Sequence, residues 1–380
     1  MINSVNELPQ SEHLNISSLS RLFKNTTNSY KYLFFMSFLD ILTRRKFDTS
    51  SPIYFREIII EMLANAWYPH NCFKLSFGVQ DKITEKIDSL DLKFSRFKDP
   101  DKKELREAIG DQNLDDIIAF IRRYVPFRLL TPFLKQELKG LDVDHEVDQK
   151  MPSLSKKYFE TRKPLYCFDA TAYKDCQAII LHSEWASYLE TNYLIVRGWV
   201  SWEWLRYMQR CNPNTIAIAN KLFPPQKRES LASQTKYWKL VLKHTEVKCI
   251  YSASPLTTDN ISLDHYLPWS FVAHDQLWNL IPILPPVNSA KSNNIPSIIY
   301  FNNFVALQHL GLTISYEKIP ERQWNKYIES YLSDLRLADK NDLLNFERLR
   351  QAYESTLTPL ISLATSQGFM AGWLYQIVCL

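Results

Sequence analysis

Glycine is scarce in this chain, with 7 residues among 380. That scarcity argues against an architecture of many tight turns, whose left-handed positions usually fall to glycine. Cysteine is also sparse. Cys72, Cys167, Cys176, Cys211, Cys249 and Cys379 are dispersed, and no two form a C-x-x-C pair. A disulfide framework is not expected in so long a chain, and reduced thiols are the simpler reading. No uncharged apolar run reaches the roughly 18–20 residues that a membrane span needs. The N-terminal MINSVNELPQSEHLNISS has no basic segment followed by an apolar one, so no signal peptide is expected. These absences point to a cytoplasmic protein. Charge of one sign is not in large excess either. Lys and Arg number 45 against 41 Asp and Glu, so any case for nucleic acid must rest on local clusters.

Apolar residues make up 46% of the chain, enough to bury a large core spread over more than one domain. Apolar periodicity predicts helices over NTTNSYKYLFFMSFLDIL (25–42), YFREIIIEMLANAWY (54–68) and ASYLETNYLIVRGWVSWEWLRYMQRCNP, which ends at Asn212-Pro213. Aromatic stretches such as FFMSFL and WVSWEWLRYM are expected to pack in the core. PLYCFDA and CQAIILHS read as short strands. KGLDVDHEVDQKMPSLSKK (139–157) is the most polar mid-chain stretch and is expected to be a linker or exposed loop. LASQTKYWKLVLKH (231–244) reads as a basic amphipathic helix, and residues beyond about Ile298 as helices again. No internal repeat of fixed period is present. The expected organisation is an N-terminal helical domain (1–150), a mostly helical domain leading into a basic helix (151–244), a small α/β module (245–300) and a C-terminal helical segment packing on it (301–380).

The informative stretch is SLDHYLPWSFVAHDQLWNLIPILPPVNSAKSNNIPS, residues 262–297. CIYSAS and ISLDHYL look strand-like, with PLTTDN between them as a turn. NLIPIL is another short strand, and PVNSAKSNN a loop entering a helix with Asn288 near its start. Neighbours on a strand point to opposite faces, so Asp264 and His265 can serve one site only where the strand ends, as Pro268 suggests. The chemistry on offer is hydrolytic. A neutral histidine can take a proton from water near neutral pH. A carboxylate and a side-chain amide supply the oxygen donors that a hard divalent cation prefers.

The pieces Asp264-His265, Pro268, Ser270-Phe271, Asn279, Asn288, Lys291-Ser292 and Pro296 resemble an HNH endonuclease motif of the ββα-metal class. More narrowly they resemble the HNH domain of type II CRISPR nucleases, in the spacing from His265 to Asn279 and on to Asn288. The resemblance implies a mostly α protein, α+β overall, with an embedded ββα-metal nuclease module. It implies His265 as general base, Asp264 and Asn288 as ligands of Mg²⁺ (or Mn²⁺), and Asn279 as a catalytic-site residue that holds the strand and histidine in place. The implied activity is hydrolysis of DNA, one strand at a time, hence nicking. The layout also resembles nuclease effectors of bacterial antiphage defence, such as the HNH component of type II Zorya systems, with other defence components as partners. Two readings stand beside it: a non-catalytic DNA- or protein-binding scaffold, and an RNase.

Many HNH proteins carry two C-x-x-C pairs for a structural zinc. Here Ser252 stands three residues after Cys249, so four-thiolate zinc is not expected. GLDVDHEVDQK provides an internal contrast. Its Asp144-His145 pair is followed, at the same intervals, by Phe159 and Phe168, and reads as a solvated loop. His274 reads as a surface-loop histidine, and WYPHNC, with His70 and Cys72, as a packed loop. Nucleic-acid contacts are expected from Lys291 and Ser292 after the second asparagine. They are also expected from Lys236, Lys239, Lys243 and Lys248 in the basic run that includes Lys227 and Arg228. One solvated face of an amphipathic helix is the plainer reading of that run.

Overall fold

A computed structural model of the chain describes residues 8–24, 26–92, 94, 101–141, 143–223 and 230–376. Lys227 and Arg228 lie outside them. The fold is mostly helical with small antiparallel sheets, and it forms two compact units, Met1–Pro213 and Asn214–Leu380.

The first unit is organised around α1 (Tyr30–Arg44), which buries residues all round its circumference and so sits inside the unit. It packs on α2 (Phe55–Asn71). Glu61 of α2 is fully buried, and Arg44 at 2.6 Å and Lys102 at 2.8 Å compensate its charge. Lys102 opens α3 (Lys102–Gly110). The stretch expected as a loop at 139–157 is instead largely helical, as α4 (Asp144–Lys157). Its composition is polar, but Met151, Pro152 and Ser155 are buried. Asp144 and Glu146 in the first turn suit the positive end of the helix dipole. Asp144 is ion-paired to Arg128 at 2.6 Å, so the Asp144-His145 pair begins a helix rather than a loop. His70 likewise lies within α2, paired with Asp88 at 2.8 Å.

Strands β1 (Ile53–Tyr54), β2 (Tyr166–Phe168) and β3 (Ala178–Leu181) form an antiparallel sheet in the order β1-β3-β2. Ile53 faces Ile179 and Tyr166 faces Leu181. Helices α5 (Ser183–Thr191) and α6 (Tyr193–Cys211) complete the helical framework. The aromatic runs are mostly core: Phe35, Phe38, Trp199 and Trp204 are buried, while Trp202 is exposed.

The second unit starts its helical framework with α7 (Ala232–His244). CIYSAS, expected as a strand, is a turn. Cys249 N–H donates to Ser254 O at 2.8 Å, and Ala253 N–H to Cys249 O at 2.9 Å, with Ala253 left-handed at φ 56°. Strands β4 (Ser262–His265) and β5 (Leu280–Ile283) follow, antiparallel, with Asp264 opposite Ile281 and His265 opposite Leu280. Helix α8 (Pro285–Lys291) begins at two prolines. Their fixed φ suits the first helical turn, where the missing N–H costs nothing.

The hairpin is held from outside by α9 (Phe301–Lys318), α10 (Glu321–Asp334) and α11 (Phe346–Ser366). These helices carry polar side chains into the core to cap its backbone. Gln308 Nε2 donates to Leu280 O at 3.0 Å and Tyr353 Oη to Trp278 O at 2.9 Å, while Trp278 Nε1 donates to Asp334 at 2.7 Å. From α7, Trp238 Nε1 reaches the same Leu280 O at 3.1 Å. At Gly311 of α9 an added Cβ would meet the Trp238 ring and the Tyr237 hydroxyl at 3.1 Å, so the glycine is what lets α7 and α9 approach. Among the described residues no helix is long and apolar enough to cross a membrane.

Candidate active site

Strand β4 ends at His265, so Asp264 and His265 are its last two residues. Asp264 points inward and is 3% exposed. One carboxylate oxygen accepts from Lys291 Nζ at 2.9 Å, the other from Tyr251 Oη at 3.0 Å. Burial, together with the carboxylate beside it, pushes the Tyr251 phenol well above its ordinary range, so it stays a proton donor to Asp264.

His265 is turned to a different partner. Its Nε2 lies 2.8 Å from Asp275 Oδ1, and the imidazole remains partly open to solvent. The loop that presents Asp275 is fixed from α7, where Gln234 Nε2 donates to Asp275 O at 3.1 Å. Asn279 is fully buried and spends its whole amide on one residue. Its Oδ1 accepts from Leu267 N–H at 2.8 Å and its Nδ2 donates to Leu267 O at 2.9 Å. The Asn279 carbonyl accepts from Tyr266 N–H at 2.8 Å. This side chain therefore locks the backbone immediately after the histidine.

Asn288 and Lys291 lie three residues apart on α8 and so share a face. That face covers β4. Asn288 Nδ2 donates to Ser262 Oγ at 3.1 Å and Leu263 O at 3.2 Å. One turn later Lys291 Nζ donates to Asp264 and, at 2.7 Å, to His265 O. Lys291 thus joins Asp264 and His265 at the end of β4, while Asn288, one turn earlier on the same face, is anchored to Ser262 and Leu263 at the strand's start. Lys291, expected on a phosphate backbone, is instead 0% exposed and serves as the countercharge of Asp264. Ser292 caps α8 with φ 51° and is half-buried.

The remaining basic candidates are elsewhere. Lys236 and Lys243 are exposed on α7 and Lys239 half-exposed, while Tyr237, Trp238 and Val241 are buried. Lys248 is exposed beside the turn at 249–254. His274, expected at the surface, is half-buried with its ring 5.4 Å from Trp278, and burial lowers its pKa. Asp275 and Tyr251 were missed in the sequence. An acid ten residues beyond a histidine carries no signal until a loop folds it back.

Among the described residues no cluster of three or more His, Cys, Asp or Glu could hold a metal ion. The donor set suits a hard cation: a carboxylate at Asp264 and the amide of Asn288, whose oxygen accepts no hydrogen bond among the described residues. A cation reaching Asp264 would do so beside the Lys291 ammonium or in exchange for it.

A family model described as HNH endonuclease matches residues 249–297. A short HNH-family nuclease domain is present there. The HNH domain thus runs from the turn at Cys249, through both strands and α8, to Ser297. No curated protein and no solved structure was found to match the chain.

Proposed function

We propose that the HNH domain is a metal-dependent endonuclease of the ββα-metal type that hydrolyses DNA phosphodiester bonds. The observation that supports this most is the convergence at the end of β4. Asp264 and His265 are met there by Lys291 of α8, the same helix face carries Asn288 against Leu263 of the same strand, and the imidazole is held by Asp275.

A carboxylate at Nε2 favours the tautomer with its proton on Nε2, leaving Nδ1 as the acceptor. His265 then takes the proton of an attacking water at Nδ1, and Asp275 stabilises the imidazolium that results. Asn279 keeps the ring in place by fixing Leu267. Asp264 and Asn288 would hold Mg²⁺ or Mn²⁺, which when bound supplies positive charge to the phosphate and the leaving oxygen. One such site addresses one strand, so the expected product on duplex DNA is a nick. Action in the cytoplasm, in antiphage defence or restriction with other defence components, is the setting we propose on the sequence resemblance alone.

A second reading has its own support. Asp264 is already neutralised by a buried ammonium, which suits a domain that grips nucleic acid or protein without cutting. Supercoiled plasmid, single-stranded DNA and RNA, each incubated with Mg²⁺, with EDTA and with His265→Ala protein, separate the possibilities. Metal-dependent nicking lost in His265→Ala supports the nuclease. Cleavage of RNA alone would make it an RNase. Binding without cleavage under Mg²⁺ or Mn²⁺ would favour the scaffold.

A further inference from the structure

The second unit carries a groove of about 690 Å³ between α7 and the corner where α9 meets α10. Lys236, Lys239, Lys243 and Lys318 all line it, and none has an ion-pair partner among the described residues. The three lysines of α7 recur at spacings of three and four. They share the helix face opposite Trp238 and Val241, which point into the core. That core face is also the one that touches the active site, through Trp238 to Leu280 O and Gln234 to Asp275 O. The groove and the active site therefore lie on opposite sides of one helix.

The lining is not uniformly charged. Leu240 and Ile319 supply apolar surface, and Tyr327, half-buried on α10, presents an aromatic ring. Lysines around an apolar and aromatic floor match a chain that alternates phosphates with flat bases. From Lys236 to Lys243 the helix rises about 10.5 Å. Three cations along that length can meet successive phosphates of one strand.

We propose that this groove binds single-stranded nucleic acid, its phosphates on the four lysines and a base against Tyr327, at a site remote from the bond that is cut. The choice of nucleic acid as occupant rests on the nuclease reading; the anion chemistry of the groove does not.

The test uses full-length His265→Ala protein in EDTA, so that no cleavage intervenes. Binding of a labelled oligothymidine of about twelve nucleotides is followed by fluorescence anisotropy across salt concentrations. Four lysine–phosphate contacts predict a slope of log K against log[salt] of about −2.8 for a single strand. Lys239→Gln/Lys243→Gln should reduce its magnitude by about 1.4, whereas Lys150→Gln/Lys174→Gln, on exposed lysines of the first unit, should leave it unchanged. Tyr327→Leu should weaken binding on the order of tenfold through lost stacking. An unchanged slope in Lys239→Gln/Lys243→Gln overturns the proposal. So does competition by a nucleoside triphosphate as strong as by the oligonucleotide, which would make the groove a small-anion pocket. So too does preference for a duplex that ignores Tyr327→Leu. Plasmid nicking by the unmutated chain together with an unchanged slope would remove the groove and leave the nuclease standing. Groove binding without any cleavage would do the reverse.

Discussion

Replacing Lys291 by methionine isolates the most consequential contact of the HNH domain. Lys291 is 0% exposed, Asp264 3%, and their charged atoms are 2.9 Å apart. Methionine keeps a long apolar stem but removes the ammonium, leaving a buried carboxylate with the Tyr251 hydroxyl as its one remaining partner among the described residues. Breaking one side of a buried pair costs about 3–5 kcal/mol, because the remaining charge keeps its desolvation penalty. Against a typical domain stability of about 5–15 kcal/mol, that is a large fraction. Asp264→Asn added to Lys291→Met removes the stranded charge, so the double variant should recover much of the loss. Two compact units make a single melting curve ambiguous. Hydrogen exchange at the Tyr266, Asn288 and Ser292 amides, all hydrogen-bonded within this domain, reads the local stability directly. Mg²⁺ should restore protection to Lys291→Met more than to the unmutated protein, since it can take the place the ammonium left. A loss below about 1 kcal/mol in Lys291→Met, or a double variant no better than the single one, would refute the claim that Lys291 holds Asp264.

Asn279→Ala leaves the Leu267 N–H and C=O without their buried partners and should destabilise the domain by about 2–4 kcal/mol, measured by the same amides. Asp275→Asn should lower turnover in the plasmid assay about 10–100-fold while exchange protection stays unchanged, because the residue is half-exposed and orients the ring. His274 has a lowered folded-state pKa, with burial the largest cause. Its contribution to stability is therefore fully present above its unfolded pKa of about 6.5 and is lost as pH falls through the folded value. Denaturant unfolding between about pH 7.5 and 5 should show that loss, and His274→Asn, which cannot be protonated, should flatten it.

The elements around the site were legible where a local rule governs them. The strands at 262–265 and 280–283 follow from short apolar segments flanked by turn formers, and α8 from its paired prolines. The long helices α1, α2 and α6 follow from their apolar periodicity. Local rules failed at α4, whose average polarity hides a narrow buried stripe of Met151, Pro152 and Ser155. They failed again at 249–254, where backbone hydrogen bonds close a turn that residue types alone suggested was extended.

By itself the sequence determined that an Asp-His pair and two asparagines stand at the spacing of the HNH motif they resemble, the pair on one strand, Asn279 beside a second and Asn288 on a helix. Residue types at local spacing, set beside the family they resemble, are enough for that. Only the tertiary structure decided what each side chain touches. Asp264 meets Tyr251, thirteen residues before it, and Lys291, twenty-seven after it. His265 meets Asp275 across a loop that α7 holds in place. Four lysines without ion-pair partners among the described residues line one groove only because α7 packs beside the α9–α10 corner. Charge is a property of the residue, but whether it becomes an internal countercharge or a surface track depends on which elements pack around it.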